Sequence, residues 1–195
     1  MWLFRVPKYQ INTKEAIVTT LHIDSSINGE NSASRAITSS IVDRLESERV
    51  VYRDLAAEPL DHLTQRGQDP HVLEEFLSAN TVVIGAPMYN FTLPTQLKAW
   101  IDRIVVAGKT FRYTESGPEG MVGDKRVIVA LARGGFYDDG SPAAGLEFLE
   151  SYLRGIFGFI GIEPEFVAAD GLSISADQRE RSMSAALGET VRLAA

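Results

Sequence analysis

The sequence predicts an α/β fold in which a five-stranded parallel sheet carries helices on both faces. Strand-like runs alternate with helix-like runs along the whole chain, an order that is typical of parallel strands joined by crossover helices. The apolar run at 81–84 leads into a short loop and then a helical pattern, as a buried strand of such a sheet does. The length of 195 residues and the 45% hydrophobic content fit one domain with a sizeable core.

The first half of the chain contains three predicted strands and two predicted helices. Ile17–Ile23 is rich in β-branched residues and is expected to be the first strand. Val50–Tyr52 is expected to be a short second strand, and Thr81–Gly85 the third. Between these strands, Ser32–Glu48 and Asp69–Ala79 place apolar residues at the three- and four-residue intervals of a helix.

The second half continues the same alternation. Pro94–Ala107 has the spacing of an amphipathic helix, and Val127–Leu131 follows as the fourth strand. Leu146–Phe157 is expected to be a helix, Phe166–Ala169 the fifth strand and Asp177–Leu193 the last helix. Crossovers between parallel strands are right-handed in nearly all proteins. Five strands in this alternation therefore favour the flavodoxin-like strand order 2-1-3-4-5.

The predicted domain spans residues 15–195, and residues 1–14 form an N-terminal extension. The sequence leaves open whether this extension is free or packs on a partner. The chain has no apolar run near the roughly 18 residues of a membrane span, and its first residues lack the apolar core of a signal peptide. We therefore expect a cytoplasmic protein without a membrane partner.

Composition narrows the possible functions. The net charge is −7 and no run of lysine and arginine occurs, so a nucleic-acid partner is not expected. The absence of cysteine rules out disulfides and thiol catalysis. The three histidines, His22, His62 and His71, do not have the spacing of metal ligands. If the protein carries out redox chemistry, a bound cofactor must supply it.

The loop after the first predicted strand is rich in hydroxyl and amide side chains. Ser26 and the run Ser32, Ala33 and Ser34 lie at or before the predicted helix N-terminus, where free N–H groups and a partial positive charge favour phosphate. The loop matches neither the Walker A pattern nor the Gly-x-Gly-x-x-Gly pattern. A helix cap in an ordinary surface loop is the alternative explanation.

The loop after the third predicted strand carries two aromatic residues and an amide in Met88, Tyr89, Asn90 and Phe91. In an open parallel sheet, ligands bind at the carboxyl ends of the strands. These side chains suit a flat, polar-edged aromatic ligand such as a flavin ring. The alternative is a plain strand-to-helix turn with packed aromatic residues.

The loop after the fourth predicted strand consists of Ala132, Arg133, Gly134 and Gly135. Paired glycines allow backbone N–H groups to approach a ligand closely. The alternative is a hinge or a tight turn, with Arg133 in an ordinary surface ion pair.

Five blocks of the sequence resemble the FMN-dependent NADH-azoreductases, which belong to the flavodoxin-like NAD(P)H:quinone oxidoreductases. The blocks are residues 87–91, 95–98, 108–120, 133–135 and 157–162. The similarity extends from about Ile17 to the C-terminus, and its middle blocks match in aromatic, amide and glycine positions together.

This resemblance implies a set of cofactor-binding residues. The FMN phosphate would lie on Ser26 and Ser32–Ser34, and Met88–Phe91 would surround the flavin ring. Ala132–Gly135 would contact the flavin edge, although Ala132 stands where the family usually has serine.

The resemblance also implies a homodimer with both active sites at the interface. Tyr113 and Phe159 would line the acceptor site across that interface, and Tyr137 stands near a position where relatives often have histidine. The region 55–77, which helps to shape the substrate entrance, is shorter than in well-known members.

The implied activity is a two-electron ping-pong reaction. NADH or NADPH would reduce FMN, and a quinone or azo compound would then be reduced at the same place. No catalytic side chain and no metal are expected, because FMN carries the chemistry and water can supply protons. The alternatives are a flavodoxin-type electron carrier and a degenerate member that binds FMN weakly or not at all.

Overall fold

The computed structural model of the protein describes residues 19–193. The extension 1–14 and the start of the first predicted strand at Ile17 lie outside this range. Within it, the strands are β1 (Thr19–Asp24), β2 (Arg49–Asp54), β3 (Thr81–Pro87), β4 (Phe111–Thr114), β5 (Gly117–Gly120), β6 (Arg126–Ala132) and β7 (Glu165–Ala169). The helices are α1 (Ala33–Arg44), α2 (Pro70–Ser78), α3 (Thr95–Ile104), α4 (Leu149–Phe159) and α5 (Ala176–Leu193). None of these helices is long and apolar enough to cross a membrane.

Five parallel strands form the main sheet in the order β2-β1-β3-β6-β7. When these five are numbered among themselves, the order is the expected 2-1-3-4-5. The sheet therefore has the flavodoxin-like topology, and the loops after β1, β3 and β6 emerge side by side at its carboxyl edge.

Successive residues of a strand point to opposite sides of the sheet. Both faces therefore carry apolar side chains, and helices cover both. On one face, Val82, Ile84 and alternate residues of β6 pack against α2, α3 and α4, where Trp100 and Phe76 meet edge to face. On the other face, Val83 and Ile128 pack against α1 and α5. Two apolar layers thus hold the carboxyl edge rigid.

β4 and β5 form a small antiparallel hairpin that is separate from the main sheet. The strict alternation predicted from the sequence omitted it, and that prediction was wrong here. Each strand has only four residues, and Gly117-Pro118-Glu119-Gly120 has neither alternation nor β-branched residues. The hairpin is held by tertiary contact instead. A Cβ on Gly120 would lie 2.2 Å from the backbone at Ile160 and Gly161, so the two backbones touch.

Element boundaries differ from the sequence prediction by a few residues. The first helix ends at Arg44 and not at Glu48, because Glu46 adopts a positive φ of 46° that stops the helix. The fourth helix begins at Leu149, after a 3-10 turn at Ala144–Leu146 that occupies the expected start. The last helix begins at Ala176, one residue before its expected start.

The segment 55–69, between β2 and α2, has no regular secondary structure. It is fixed by Arg103 of α3, whose side chain is fully buried. Its Nε donates to Asp69 Oδ2 at 2.7 Å, and its Nη2 donates to the carbonyl of Asp61 at 2.7 Å. A buried charge paired in this way holds the segment against α3.

Candidate cofactor site

Three loops meet at the carboxyl edge of the sheet. Ser25 in the loop after β1 donates from Oγ to the carbonyl of Gly85 in β3 at 2.6 Å. The backbone N–H of Met88 donates to the carbonyl of Ala132 at 2.9 Å. The three loops that the sequence singled out are therefore adjacent, and together they surround one site.

The first loop builds an anion cradle at the start of α1. Ser32 caps the helix by accepting from the N–H of Arg35 at 3.3 Å, and its Oγ lies 3.1 Å from Ser34 Oγ. Among the described residues, the N–H groups of Ala33 and Ser34 have no hydrogen-bond acceptor. Two hydroxyls and two free N–H groups at a helix N-terminus are the donors that a phosphate monoester needs.

Arg35 fixes this cradle from its outer side. Its guanidinium donates to both oxygens of Asp54 at 2.7 and 2.8 Å and to the carbonyl of Ser26 at 2.8 Å. The hydrogen bonds from Arg35 to the Asp54 carboxylate lower the pKa of Asp54 to about 2. The carboxylate of Asp24 accepts from Thr38 Oγ1 at 2.9 Å. This group was not expected from the sequence, where its only signal was one arginine directly after the serine run.

The second loop is a tight turn with an unusual backbone. Tyr89 and Thr92 exchange two backbone hydrogen bonds of 2.9 and 3.1 Å, and the residues between them have positive φ, 47° for Asn90 and 72° for Phe91. This is the pattern of a type I′ turn, which glycine and asparagine normally occupy. A phenylalanine there is strained by about 1–3 kcal/mol, and such strain is concentrated at functional sites.

The side chains of this turn have separate roles. Tyr89 joins two loops, because its hydroxyl accepts from the N–H of Ile27 at 3.1 Å and lies 3.4 Å from Ser26 Oγ. Met88 is partly buried against the core. Asn90 and Phe91 are exposed, so they are the side chains free to meet a ligand.

The third loop presents backbone rather than side chains. The carbonyls of Arg133, Gly134 and Gly135 accept from the N–H groups of residues 171–173. Within the described part of the chain, the N–H groups of Gly134 and Gly135 have no acceptor. Ala132 is buried, while the Tyr137 ring lies edge-on to Phe91 at 6.3 Å.

Arg133 is placed differently from the other predicted cofactor-binding residues. Its side chain is 7% exposed and turns away from the loop toward Asp170, Glu147 and Glu150. Burial tends to lower the pKa of Arg133, but the bonds and charges of these carboxylates outweigh burial and raise it. The side chain is thus engaged within the protein.

Tyr113 and Phe159 lie away from the three loops. Both rings pack on Phe111, with centroids 5.4 and 4.7 Å away. Helix α4 begins near the carboxyl edge, and a rise of 1.5 Å per residue places Phe159 about 15 Å further along its axis. The structure therefore does not bring these two residues to the site of their own chain.

The histidine and carboxylate side chains do not form a metal site in the part of the chain that the structure describes. No three of the residues that bind metals lie close enough together there. His22 lies within β1, with Nε2 3.4 Å from Asp24 Oδ2.

The site at the carboxyl edge thus offers hydroxyls, backbone N–H groups and exposed aromatic side chains. These donors fit a flavin mononucleotide, whose single phosphate and flat ring need such groups.

The chain is similar to known proteins over most of its length. A family model described as a flavodoxin-like fold matches residues 18–193. The FMN-dependent NADH:quinone oxidoreductase 2 of Bradyrhizobium diazoefficiens is 52% identical, over 90% of this chain and 98% of the relative. The FMN-dependent NADH:quinone oxidoreductase of Sinorhizobium fredii is 50% identical, over 91% of this chain and all of the relative.

Solved structures give the same result. An azoreductase from Bacillus anthracis superposes with a TM-score of 0.82 at 29% identity, over 91% of this chain and 98% of that one. The chain therefore belongs to the flavodoxin-like family that includes the FMN-dependent NADH:quinone oxidoreductases and azoreductases.

Proposed function

We propose that the protein is an FMN-dependent oxidoreductase that uses NADH to reduce quinones and azo compounds. The observation that carries this proposal is the pairing of two features at one edge of the sheet. The serine-lined N-terminus of α1 offers donors to one phosphate, and the free N–H groups of Gly134 and Gly135 lie in the loop two strands away. The names of the close relatives support the same activity.

Each part of the site has a role in this proposal. Ser26, Ser32, Ala33 and Ser34 hold the phosphate through hydroxyl and N–H donors. When bound, FMN supplies the acceptor and donor of hydride. The N–H groups of Gly134 and Gly135 stabilise negative charge on the ring when it is reduced. Water provides the protons, so the reaction needs no acid or base side chain.

A homodimer completes the acceptor site in this proposal. Tyr113 is 75% exposed, and a surface tyrosine held by Phe111 is suited to cover a flat ligand. Phe159 lies about 15 Å along α4 from the start of that helix, and Tyr113 packs beside it on Phe111. In this proposal a second subunit therefore presents both residues. Phe91 and Tyr137 of the first subunit provide the opposite wall of the site.

A flavodoxin-type carrier is the competing function. A carrier exchanges electrons with a partner protein and does not oxidise NADH by itself, whereas the relatives are named as NADH oxidoreductases. We assign NADH rather than NADPH as the donor on these names. A cytoplasmic location is part of the proposal, because NADH is available there.

A spectroscopic titration tests the proposal. The protein is loaded with FMN, freed of unbound flavin and mixed with NADH without oxygen. We expect flavin absorbance to bleach and a naphthoquinone to restore it within one turnover. Acid extraction should release FMN and not FAD. Failure to retain FMN, or bleaching that only a partner protein reverses, would contradict the assignment.

A further inference from the structure

Arg133 joins three parts of the molecule around the paired glycines. Its Nε and Nη2 donate to the two oxygens of Asp170 at 2.5 and 3.1 Å, a bidentate bond to the loop after β7. Its Nη1 donates to Glu147 at 3.3 Å and to Glu150 at 3.5 Å, at the start of α4. Guanidinium is the group that can bond in both directions at once, because its donors form a rigid planar fork.

The carboxylates are themselves fixed to the backbone. Glu147 accepts from the N–H groups of Glu150 and Ser151 at 2.9 and 3.0 Å, and so caps α4. The next residue, Phe148, donates its N–H to the carbonyl of Phe91 in the second loop at 3.2 Å. The network of Arg133 therefore continues into the strained turn of the cofactor site.

The loop after β7 holds the glycine loop directly. The N–H groups of Gly171, Leu172 and Ser173 donate to the carbonyls of Gly135, Arg133 and Gly134 at 2.9, 3.1 and 3.0 Å. With all three carbonyls engaged, the peptide planes are fixed. The N–H groups of Gly134 and Gly135 remain available to a ligand. Arg133 closes this arrangement by tying its own side chain to Asp170, the residue before Gly171.

We propose that Arg133 is a positioning residue that sets the redox potential of the flavin through the peptide planes of Gly134 and Gly135. This inference rests on the proposed function. The Arg133 side chain does not bind the cofactor. It holds the N–H groups of Gly134 and Gly135 in positions where they bind reduced FMN more tightly than oxidised FMN. Preorganised donors of this kind stabilise charge because they need no reorientation when it forms.

A matched ion pair serves as the control. Arg126 and Glu165 form the same bidentate bond between β6 and β7, with distances of 2.7 and 3.1 Å, at the opposite end of these two strands. Arg126→Met removes an equivalent link far from the glycine loop. It is therefore expected to change stability without changing the flavin.

The first measurement uses the FMN-free protein. Amide hydrogen exchange is compared in wild type, Arg133→Lys, Arg133→Met and Arg126→Met. We expect exchange at Gly171, Leu172 and Ser173 to be at least tenfold faster in Arg133→Met, intermediate in Arg133→Lys and within twofold of wild type in Arg126→Met. Equal exchange in Arg133→Met and Arg126→Met would overturn the proposal. Because no flavin is present, this result does not depend on the proposed activity.

The second measurement uses the FMN-loaded protein. We expect Arg133→Met to weaken binding of reduced FMN at least tenfold more than binding of oxidised FMN. For a two-electron couple, this change lowers the potential by about 30 mV. If Arg133→Met does not fold, Asp170→Asn and Arg133→Lys test the same bond. Equal loss of both FMN states, with wild-type amide exchange, would show direct ligand binding and refute a positioning role.

Discussion

Ser32 caps α1 and also lies in the phosphate cradle, so one substitution separates these two roles. Aspartate is as good a helix cap as serine, and its charge is favourable at a helix N-terminus. We therefore expect Ser32→Asp to keep the FMN-free protein as stable as wild type. Next to a phosphate, however, the added charge should lower FMN affinity tenfold or more.

The control is Ser39→Asp, which adds the same charge at an exposed position of the same helix. We expect Ser39→Asp to change FMN affinity by less than threefold. Fluorescence titration of free FMN measures both variants, and thermal unfolding checks the fold. If Ser32→Asp bound FMN like wild type, the phosphate would have to lie elsewhere.

Phe91 has a φ of 72°, which gives a second residue-level prediction. Alanine is normally the more stable replacement in ordinary backbone, but at positive φ glycine avoids the strain. We expect Phe91→Gly to be more stable than Phe91→Ala by about 1 kcal/mol. Both variants remove the ring, so denaturant unfolding of the FMN-free proteins isolates the backbone term. An alanine variant of equal or higher stability would show that the turn is unstrained.

The sequence could identify a site residue only where its signal lies within one short segment of the chain. Ser26, Ser32 and Ser34 were expected at the cradle because they lie within one loop at a helix start. The bond between Arg35 and Asp54 joins residues far apart in sequence, and only the pairing of β1 with β2 brings them together. The inward direction of Arg133 had no local signal either, because carboxylates more than ten residues away determine it.

The close packing of the β4–β5 hairpin leads to a prediction about secondary-structure elements. Gly120 contacts the backbone at Ile160 and Gly161. Neither backbone segment can move easily to make room for a side chain. Gly120→Ala should therefore displace the hairpin and lower the free energy of unfolding by about 1–3 kcal/mol. We also expect a raised KM for the quinone, with FMN affinity within twofold of wild type.

The matched control for this prediction is Gly188→Ala. Gly188 is exposed in α5 and has no atom near an added Cβ, so alanine should raise stability by about 0.5–1 kcal/mol. Chemical denaturation and steady-state kinetics measure both variants. If Gly120→Ala gained stability as well, the hairpin would not be held by close backbone contact.

The main elements were predictable from the sequence because their apolar patterns repeat over many residues. Within residues 19–193, all five strands of the main sheet and all five α-helices were expected, with boundaries a few residues off. The hairpin was not, since its strands are short and are stabilised by contact with a segment about 40 residues later. Periodicity within a short window does not contain that contact.

Complementation between two variants that damage different parts of the site tests the proposed dimer. A subunit with Tyr113→Ala keeps an intact phosphate cradle, and a subunit with Ser32→Asp keeps an intact Tyr113. If Tyr113 acts across the interface, a mixed dimer contains one intact site. After subunit exchange of equal amounts, we expect about one quarter of all sites to regain wild-type quinone kinetics. The assay is run at FMN concentrations that fill only wild-type cradles.

The control is a mixture of Tyr113→Ala with Phe159→Ala. Since both residues would come from the same subunit, each site of that mixed dimer keeps one lesion, and activity should not recover. Differently tagged subunits confirm that mixed dimers have formed. Mixed dimers of Tyr113→Ala and Ser32→Asp without recovered activity would show that Tyr113 does not act in the neighbouring site.

The contact between Gly120 and Gly161 also has a consequence for the order in which the protein is made. The hairpin leaves the ribosome before the segment on which it packs, and at 5–20 residues per second the interval is about 2–8 s. During that time Phe111, on which the Tyr113 ring packs, has no Phe159 ring to pack against. In the proposed dimer, the aromatic surface that a second subunit would recognise is therefore completed only when the end of α4 has been synthesised, so that pairing would wait until most of the chain exists.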